Sequence, residues 1–232
     1  MVVISYEYIF NDDCWFKGFC EREKNVGCDS GCPSYIEMHY LMNTSNIPER
    51  YKGIQKLVPQ NCDYETFKNL GKIKSDIINF VKSGEFLYIH GNLGTGKSAW
   101  AIKLMQAYIG NIHIGNQFQD RCWFDYIPSI NVKLKDFTQD DKRAELLKAL
   151  HERDLVILDD IGMLASTNFD ATNIASVINY RYSNKKTTIF TSNVQPDDLI
   201  KNVDVRLVDR ILSGYVMELK GIGLRGKGGT YP

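Results

Sequence analysis

Two hydrophobic periods alternate along most of this chain. Residues 86–90 (FLYIH), 155–162 (LVILDDIG) and 187–193 (TTIFTSN) carry short, nearly continuous apolar runs of strand length. Between them, 98–109 (SAWAIKLMQAYI), 135–154 (KDFTQDDKRAELLKALHERD) and 171–185 (ATNIASVINYRYSNK) repeat apolar residues at helical spacing. Residues 122–130 (CWFDYIPSI) predict a further strand, 204–214 (DVRLVDRILSG) a short helix, and 215–221 (YVMELKG) a last strand. Residues 64–83 predict one helix that stops at Gly84. Strands that are apolar on both faces and separated by helices predict an α/β fold, a parallel sheet covered by helices on both sides.

The first 45 residues break this rhythm. Cys14, Cys20, Cys28 and Cys32 fall in a stretch dense in Gly, Asp, Asn and Lys; a short helical run, YIEMHYLM, and the breaker-rich NTSNIPERYKG follow. The pattern divides the chain into a small Cys-rich module, 1–45, and an α/β domain, 46–232. Four thiolates are the usual number for a structural tetrahedral zinc, and so short a module gains from a metal what its small core cannot supply. The spacing is not the common paired C-x2-C, so four unligated thiols are the alternative. His39 is a spare ligand candidate or a helix-surface residue, and Cys62 and Cys122 are expected to be buried thiols. Lysine plus arginine equals aspartate plus glutamate, 28 each, so net charge favours no particular partner. No apolar run reaches membrane-spanning length and MVVISYEYIFNDD lacks a signal pattern, so the expected setting is the reducing cytoplasm.

The glycine-rich stretch between FLYIH and the next helix has a specific chemistry. Gly91, Asn92, Leu93, Gly94, Thr95, Gly96, Lys97 and Ser98 fit the Walker A pattern, with Ala99 continuing into the helix. Glycines let several backbone N–H groups turn toward one phosphate, and the helix start adds the positive end of its dipole. Lys97 then faces the β- and γ-phosphates, and the Ser98 hydroxyl is a ligand for Mg²⁺. Asp159 and Asp160 end the strand LVILD, where Asp159 suits Mg²⁺ and Asp160 the attacking water. Asn193, at the tip of TTIFTSN, can bond the γ-phosphate or that water, with Thr191 a weaker candidate. In DVRLVDRILSG, Asp204 is a candidate N-cap, Gly214 a candidate stop, and Leu207, Val208, Ile211 and Leu212 form an apolar stripe. Arg206 and Arg210 lie opposite it, four apart, and are expected to reach outward together.

The succession GNLGTGKS, LVILDDIG, INYRYSNKKTTIFTSN and RLVDRILSG resembles the AAA+ ATPases of the bacterial replicative helicase-loader group, the DnaC/DnaI type, including phage versions. The resemblance covers about residues 46–232. It implies Lys97 and Ser98 in Walker A, Asp159 and Asp160 in Walker B, and Asn193 at the sensor-1 position. It further implies Arg210 as the arginine finger, with Arg206 as runner-up. Arg181 is a further trans contact or a packing residue, and Arg225, in GIGLR, a second sensor. The Cys-rich start with GCPSYIEMHYL resembles loaders whose zinc-binding module docks on the helicase. Asp160 stands where many AAA+ proteins have glutamate, which implies slow hydrolysis suited to a switch. Too few residues follow Asn193 for a separate helical lid, so a neighbouring subunit or partner is expected to cover the nucleotide.

The resemblance therefore implies a slow, partner- or DNA-stimulated ATPase. It would load a hexameric replicative helicase onto single-stranded DNA, using ATP, Mg²⁺ and a zinc ion, and would assemble with itself or on the helicase. A transposition helper ATPase is the alternative, disfavoured by the acidic, Cys-rich start. A small-molecule P-loop kinase would need a lid, and none is legible. Phe118, Arg121 and Trp123 are residue types that meet single-stranded DNA, without a pattern that places them at such a surface.

Overall fold

The computed structural model describes residues 31–52, 57, 63–135, 140–166, 168–201 and 203–221. Five strands, β1 Phe86–Gly91, β2 Cys122–Tyr126, β3 Leu155–Asp159, β4 Thr188–Ser192 and β5 Tyr215–Leu219, form one sheet in the order β2-β3-β4-β1-β5. All pairings are parallel, with Phe86 opposite Thr188, Leu158 opposite Phe190 and Tyr126 opposite Asp159. Each of the five predicted strands is present, and the sheet is covered on both faces as expected. Side chains alternate across β1: Leu87 and Ile89 join one buried cluster, Phe86 and Tyr88 the other.

The first cluster is closed by α1 Pro33–Thr44, α2 Tyr64–Ser75, α3 Ile77–Ser83 and α4 Lys97–Ile112. Helix α1 buries Met38, Leu41 and Met42 beside Leu87 and Ile89. At about 1.5–3 kcal/mol for each fully buried side chain, that contact is a firm one. The helix on the N-terminal side of the expected boundary near residue 45 thus packs into the core of the α/β domain. Beyond it, the Ser45 carbonyl accepts Phe124 N–H at 2.8 Å and Asn46 Nδ2 donates to the Phe124 carbonyl at 2.7 Å. These two bonds occupy the outer edge of β2, where an open strand would invite foreign pairing. At the other edge, Thr66 Oγ1 donates to the Glu218 carbonyl at 2.9 Å and the Asp63 carboxylate accepts the N–H groups of Lys220 and Gly221.

The second cluster is closed by α5 Ile127–Lys135, α6 Asp140–Glu152, α7 Asn168–Ser183 and α9 Val205–Ile211, with a single turn, α8 Pro196–Leu199, before α9. Two predicted elements differ from those observed. The run CWFDYIPSI is a strand only to Tyr126; Pro128, which suits a first helical turn, lies at the start of α5. The predicted helix 64–83 is two helices. Asp76 leaves helical geometry (φ −115°, ψ 34°), accepts Asn79 Nδ2 at 2.7 Å, and turns Ile77, Phe80 and Val81 inward. Gly84 then ends α3 at φ 75°, as expected.

Arg181, near the end of α7, is fully buried. Its guanidinium donates to the carbonyls of Leu150, His151 and Arg153 at 2.9–3.2 Å, to that of Thr187 at 2.6 Å, and to Thr188 Oγ1 at 2.8 Å. The last carbonyls of α6 have no helical partners, and this side chain supplies them. Burial pulls the guanidinium pKa down to about 9, with the nearby Asp154 carboxylate acting the other way. Of the two roles open to Arg181 in the sequence, the structure assigns packing.

Candidate active site

The C-terminal ends of β1, β3 and β4 lie side by side, the edge at which α/β sheets bind ligands. At the end of β1 the chain curls through Gly91, Gly94 (φ 78°) and Gly96 (φ 93°) before entering α4 at Lys97. Those left-handed values are open to glycine and strained for other residues. The Lys97 side chain folds back into the curl, its ammonium 2.9 Å from the Gly91 carbonyl and 2.7 Å from that of Asn92. Thr95 Oγ1 donates to the Asn92 carbonyl at 2.9 Å and braces the same turn. Leu93 and Asn92 are exposed at its rim, and Ala99 lies in the first turn of α4.

Below the loop, Asp159 Oδ1 accepts Ser98 Oγ at 2.7 Å and Thr191 Oγ1 at 2.5 Å. Three adjacent elements, α4, β3 and β4, are thereby joined through one carboxylate oxygen. Ser98 hydroxyl and Asp159 carboxylate are hard oxygen donors side by side, a pair that fits Mg²⁺ carried by a nucleotide. Thr191 Oγ1 also accepts the Asp160 N–H at 3.1 Å. Asp160 itself has a left-handed backbone (φ 64°). Partial burial and the neighbouring Asp159 hold that carboxyl above the usual carboxylate range, while Lys97 and a hydrogen bond from Tyr126 act downward. Gly162, the glycine of the DDIG stretch, leaves no room for a side chain, since a Cβ there would lie 2.6 Å from Val194 Cγ2.

Asn193 is exposed immediately after β4. Its turn is held on both sides: Ser192 Oγ accepts Val194 N–H at 2.9 Å, and Tyr88 OH donates to the Val194 carbonyl at 2.8 Å. Burial raises the Tyr88 phenol to about 12, so it stays a donor. His90, buried on β1 beside this turn and stacked on Tyr88, is kept below its usual pKa by burial first, with Lys97 adding and Glu218 opposing.

Asp204 caps α9 as expected, accepting Arg206 N–H at 2.9 Å, whereas Gly214 serves a different end. A Cβ at Gly214 would meet the Phe86 carbonyl at 2.1 Å, so this glycine lets β5 start against β1. Arg206 is exposed. Arg210 is not directed outward with it; it bonds Asn179 Oδ1 on α7 and lies over the Tyr182 ring, 5.8 Å from its centroid. Arg225, Cys14, Cys20, Cys28 and Cys62 lie outside the described residues. Cys32 is half-buried at the N-cap of α1, and His39 on the same helix packs against Tyr35. Among the described residues no group of three or more His, Cys, Asp or Glu could hold a metal ion. Cys122 is buried as expected, and burial pushes its thiol up. Phe118 is exposed and packs edge-on against Tyr40, Arg121 is tied to Asn116 and Asp154, and the Trp123 indole N–H is buried.

Sequence reasoning missed Tyr126 and underrated Thr191. Tyr126 reaches Asp160 because β2 and β3 pair with Tyr126 opposite Asp159, a register that no local pattern reveals. Thr191 could have been raised in rank by its place two residues before Asn193, on the face of the strand opposite its apolar neighbour Phe190.

Comparison with known proteins follows the same outline. Residues 78–218 match the model of the bacterial DnaA ATPase domain. The replicative helicase loader DnaI of Bacillus subtilis is 30% identical over 130 residues, which are 53% of this chain and 40% of DnaI. A crystal structure of the DnaC helicase loader superposes with a TM-score of 0.62 at 22% identity, covering 75% of this chain and all of that one. A replication initiator DnaA bound to AMPPCP and single-stranded DNA gives 0.59 at 20% identity, covering 76% of this chain and 52% of that one. The chain spans less than half the length of the DnaI it matches.

Proposed function

This chain belongs to the family of the bacterial DnaA ATPase domain, and from that premise we propose that it loads a hexameric replicative helicase onto single-stranded DNA as an ATP-gated switch. The hydrogen-bond junction Ser98–Asp159–Thr191 beneath the glycine loop carries the ATPase part of this reading. The likeness to a helicase loader over half the chain supports the rest. The names among the relatives belong to replication, which favours loading over the transposition helper.

In this reading the N–H groups of the Gly91–Gly96 curl and the start of α4 hold the phosphates. Lys97 places its charge on the β- and γ-phosphates and leaves the Gly91 and Asn92 carbonyls to do so. Ser98 and Asp159 would hold the Mg²⁺ that accompanies ATP, and the ion would supply neutralisation of phosphate charge. Asp160 polarises the attacking water and Asn193 orients it. Aspartate is one methylene shorter than the glutamate found at this place in many AAA+ proteins, so turnover is slow, as a switch requires. An arginine from α9 of a neighbouring molecule completes the charge stabilisation, and Arg225 adds a contact from the C-terminal segment. Cys14, Cys20, Cys28 and Cys32 bind zinc and dock the N-terminal segment on the helicase. Metal content measured on purified full-length protein tests this; one equivalent of zinc, lost in a Cys14→Ser/Cys28→Ser variant, is the expected result.

The loading test mixes the protein with the replicative helicase of its host, ATP and single-stranded DNA, and records the masses of the complexes. A ternary complex that needs ATP and is lost in Lys97→Ala is expected. Equal helicase binding by Lys97→Ala, with and without ATP, would sink the switch.

A further inference from the structure

Arg210, on α9, is a cation whose partners among the described residues carry no charge. Asn179 offers it a neutral amide oxygen, and Tyr182 offers the negative face of its ring. No ion pair involves Arg210 among the described residues. The guanidinium is therefore oriented while its charge is left unneutralised, which differs from Arg121 and Arg153, both paired with aspartates.

The two holding residues are themselves fixed. Tyr182 packs edge-to-face on Phe86 at 5.8 Å, and Phe86 on Phe190 at 5.2 Å, so its ring is anchored to the centre of the sheet. Asn179 sits one residue after Ile178, which is fully buried in the cluster that also takes Leu207, Val208 and Ile211 of α9. Arg210 thus stands on a helix whose apolar side is locked to α7, with its free end held by the same α7. Ser213 Oγ donates to the Arg210 carbonyl at 2.7 Å and fixes the backbone beyond it. A flexible arginine aimed at a phosphate loses rotamer freedom when it binds; one held beforehand has already lost it.

The geometry points to Asn179 and Tyr182 as positioning residues that present Arg210 to a phosphate of a neighbouring molecule. This rests on the proposed function, with Arg210 taken as the α9 arginine that acts on a neighbouring molecule. Asn179 takes one edge of the guanidinium, and the remaining N–H groups serve the incoming phosphate.

The experiment measures ATP turnover of the full chain alone and with saturating helicase and single-stranded DNA, for the wild type, Asn179→Ala, Tyr182→Ala, Tyr182→Phe and Arg210→Ala. Asn179→Ala is expected to lower the stimulated kcat about tenfold, from the loss of a hydrogen bond to a charged group. Tyr182→Ala is expected to lower it about threefold, and Tyr182→Phe, which keeps the ring face, to leave it unchanged. The unstimulated rate and KM for ATP stay those of the wild type in all three, and the melting temperature does so in Asn179→Ala and Tyr182→Phe. Arg210→Ala with full stimulation, or a wild type that no addition stimulates, removes the trans-acting arginine and this inference with it. Arg210→Ala impaired beside an unimpaired Asn179→Ala overturns the positioning alone. Equal loss of stimulated and unstimulated rates in Asn179→Ala, with a lower melting temperature, reduces the pair to structural support and also overturns it.

Discussion

Replacing Thr191 by valine removes one hydroxyl from beneath the site and keeps nearly the same shape. Thr191 is 2% exposed, so water cannot take the place of that hydroxyl. The Asp159 carboxylate would lose a donor at 2.5 Å and retain Ser98 on the same oxygen. A hydrogen bond to a charged group contributes about 1.5–3 kcal/mol, and an orphaned N–H, here that of Asp160, costs about 1–3 kcal/mol more. Asp160 is only partly buried, which puts its share at the low end, and the sum at about 2–4 kcal/mol. For a chain of this size each kcal/mol moves the melting temperature by about 2–4 °C, so a fall of about 4–16 °C is expected. Turnover falls as well where Asp160 polarises the attacking water, the role proposed for it above. Asp160 keeps its left-handed backbone with the help of the Thr191 bond, and a misplacement of about 1 Å in a catalytic group costs on the order of a hundredfold. Valine should therefore lower kcat by about ten- to a hundredfold, with KM for ATP nearly unchanged because the glycine loop and Lys97 are untouched.

Thr191→Ser is the control that isolates the hydroxyl. It keeps both bonds and loses one methyl group, about 1 kcal/mol. Thermal melts and steady-state phosphate release on the three proteins suffice. If valine and serine variants melt together and turn over within twofold of each other, the junction at Asp159 is ornamental and the reasoning fails.

Three further outcomes are expected. Burial and Asp159 already hold the Asp160 carboxyl high, and the Tyr126 hydroxyl works against them; Tyr126→Phe should raise it further. In the role proposed for it, Asp160 must be ionised to polarise water, so activity is lost as pH falls through that raised pKa and the acid limb of the kcat–pH profile should move to higher pH; an unmoved limb refutes the contact. Arg181→Met should cost about 3–5 kcal/mol of stability in urea unfolding, because the carbonyls of Leu150, His151, Arg153 and Thr187 lose a buried charged donor. Arg181→Lys should not rescue it, since an ammonium cannot span that fan, and a loss below about 1 kcal/mol would refute the account. Gly91→Ala should lower ATP affinity at least about tenfold, because its Cβ would lie 2.1 Å from the Leu219 carbonyl and force β1 and β5 apart beside the loop; wild-type affinity in a fluorescent-nucleotide titration would refute it.

The legible parts of the site were the contiguous ones. Gly91 to Ser98 lie in a single run whose chemistry depends on neighbours in sequence, and Asp159 and Asp160 end a strand that is apolar throughout. What could not be read depends on side-by-side placement of distant segments. Sheet order brings β4 between β1 and β3, which alone puts Thr191 on Asp159. Pairing register sets Tyr126 against Asp159. The helical stripe of α9 correctly assigned Leu207, Val208 and Ile211 to the interior, but it described only the side facing the core; Asn179 and Tyr182 of α7 occupy part of the other side. The boundary near residue 45 followed a change in composition, whereas Met38, Leu41 and Met42 joined the core by packing.

Helix α7 links these separate observations. It runs from the 3₁₀ turn after Asp160 to the start of β4, so its two ends are joined in sequence to the acid pair and to the strand bearing Thr191 and Asn193. Arg181 bolts its C-terminal end to α6 and to Thr187 and Thr188, and moving that end would unpair a buried cation, at a cost of several kcal/mol. Asn179 and Tyr182, within two residues of Arg181, hold Arg210. The position of Arg210 is consequently set relative to β4 and not by the flexibility of its own side chain. A loosened Arg181 should therefore weaken trans stimulation even with Arg210, Asn179 and Tyr182 intact. Arg181→Lys, assayed at a temperature where circular dichroism reports it fully folded, should lose stimulated turnover before unstimulated turnover. Loss of both in parallel would mean that α7 supports the fold without setting the arginine.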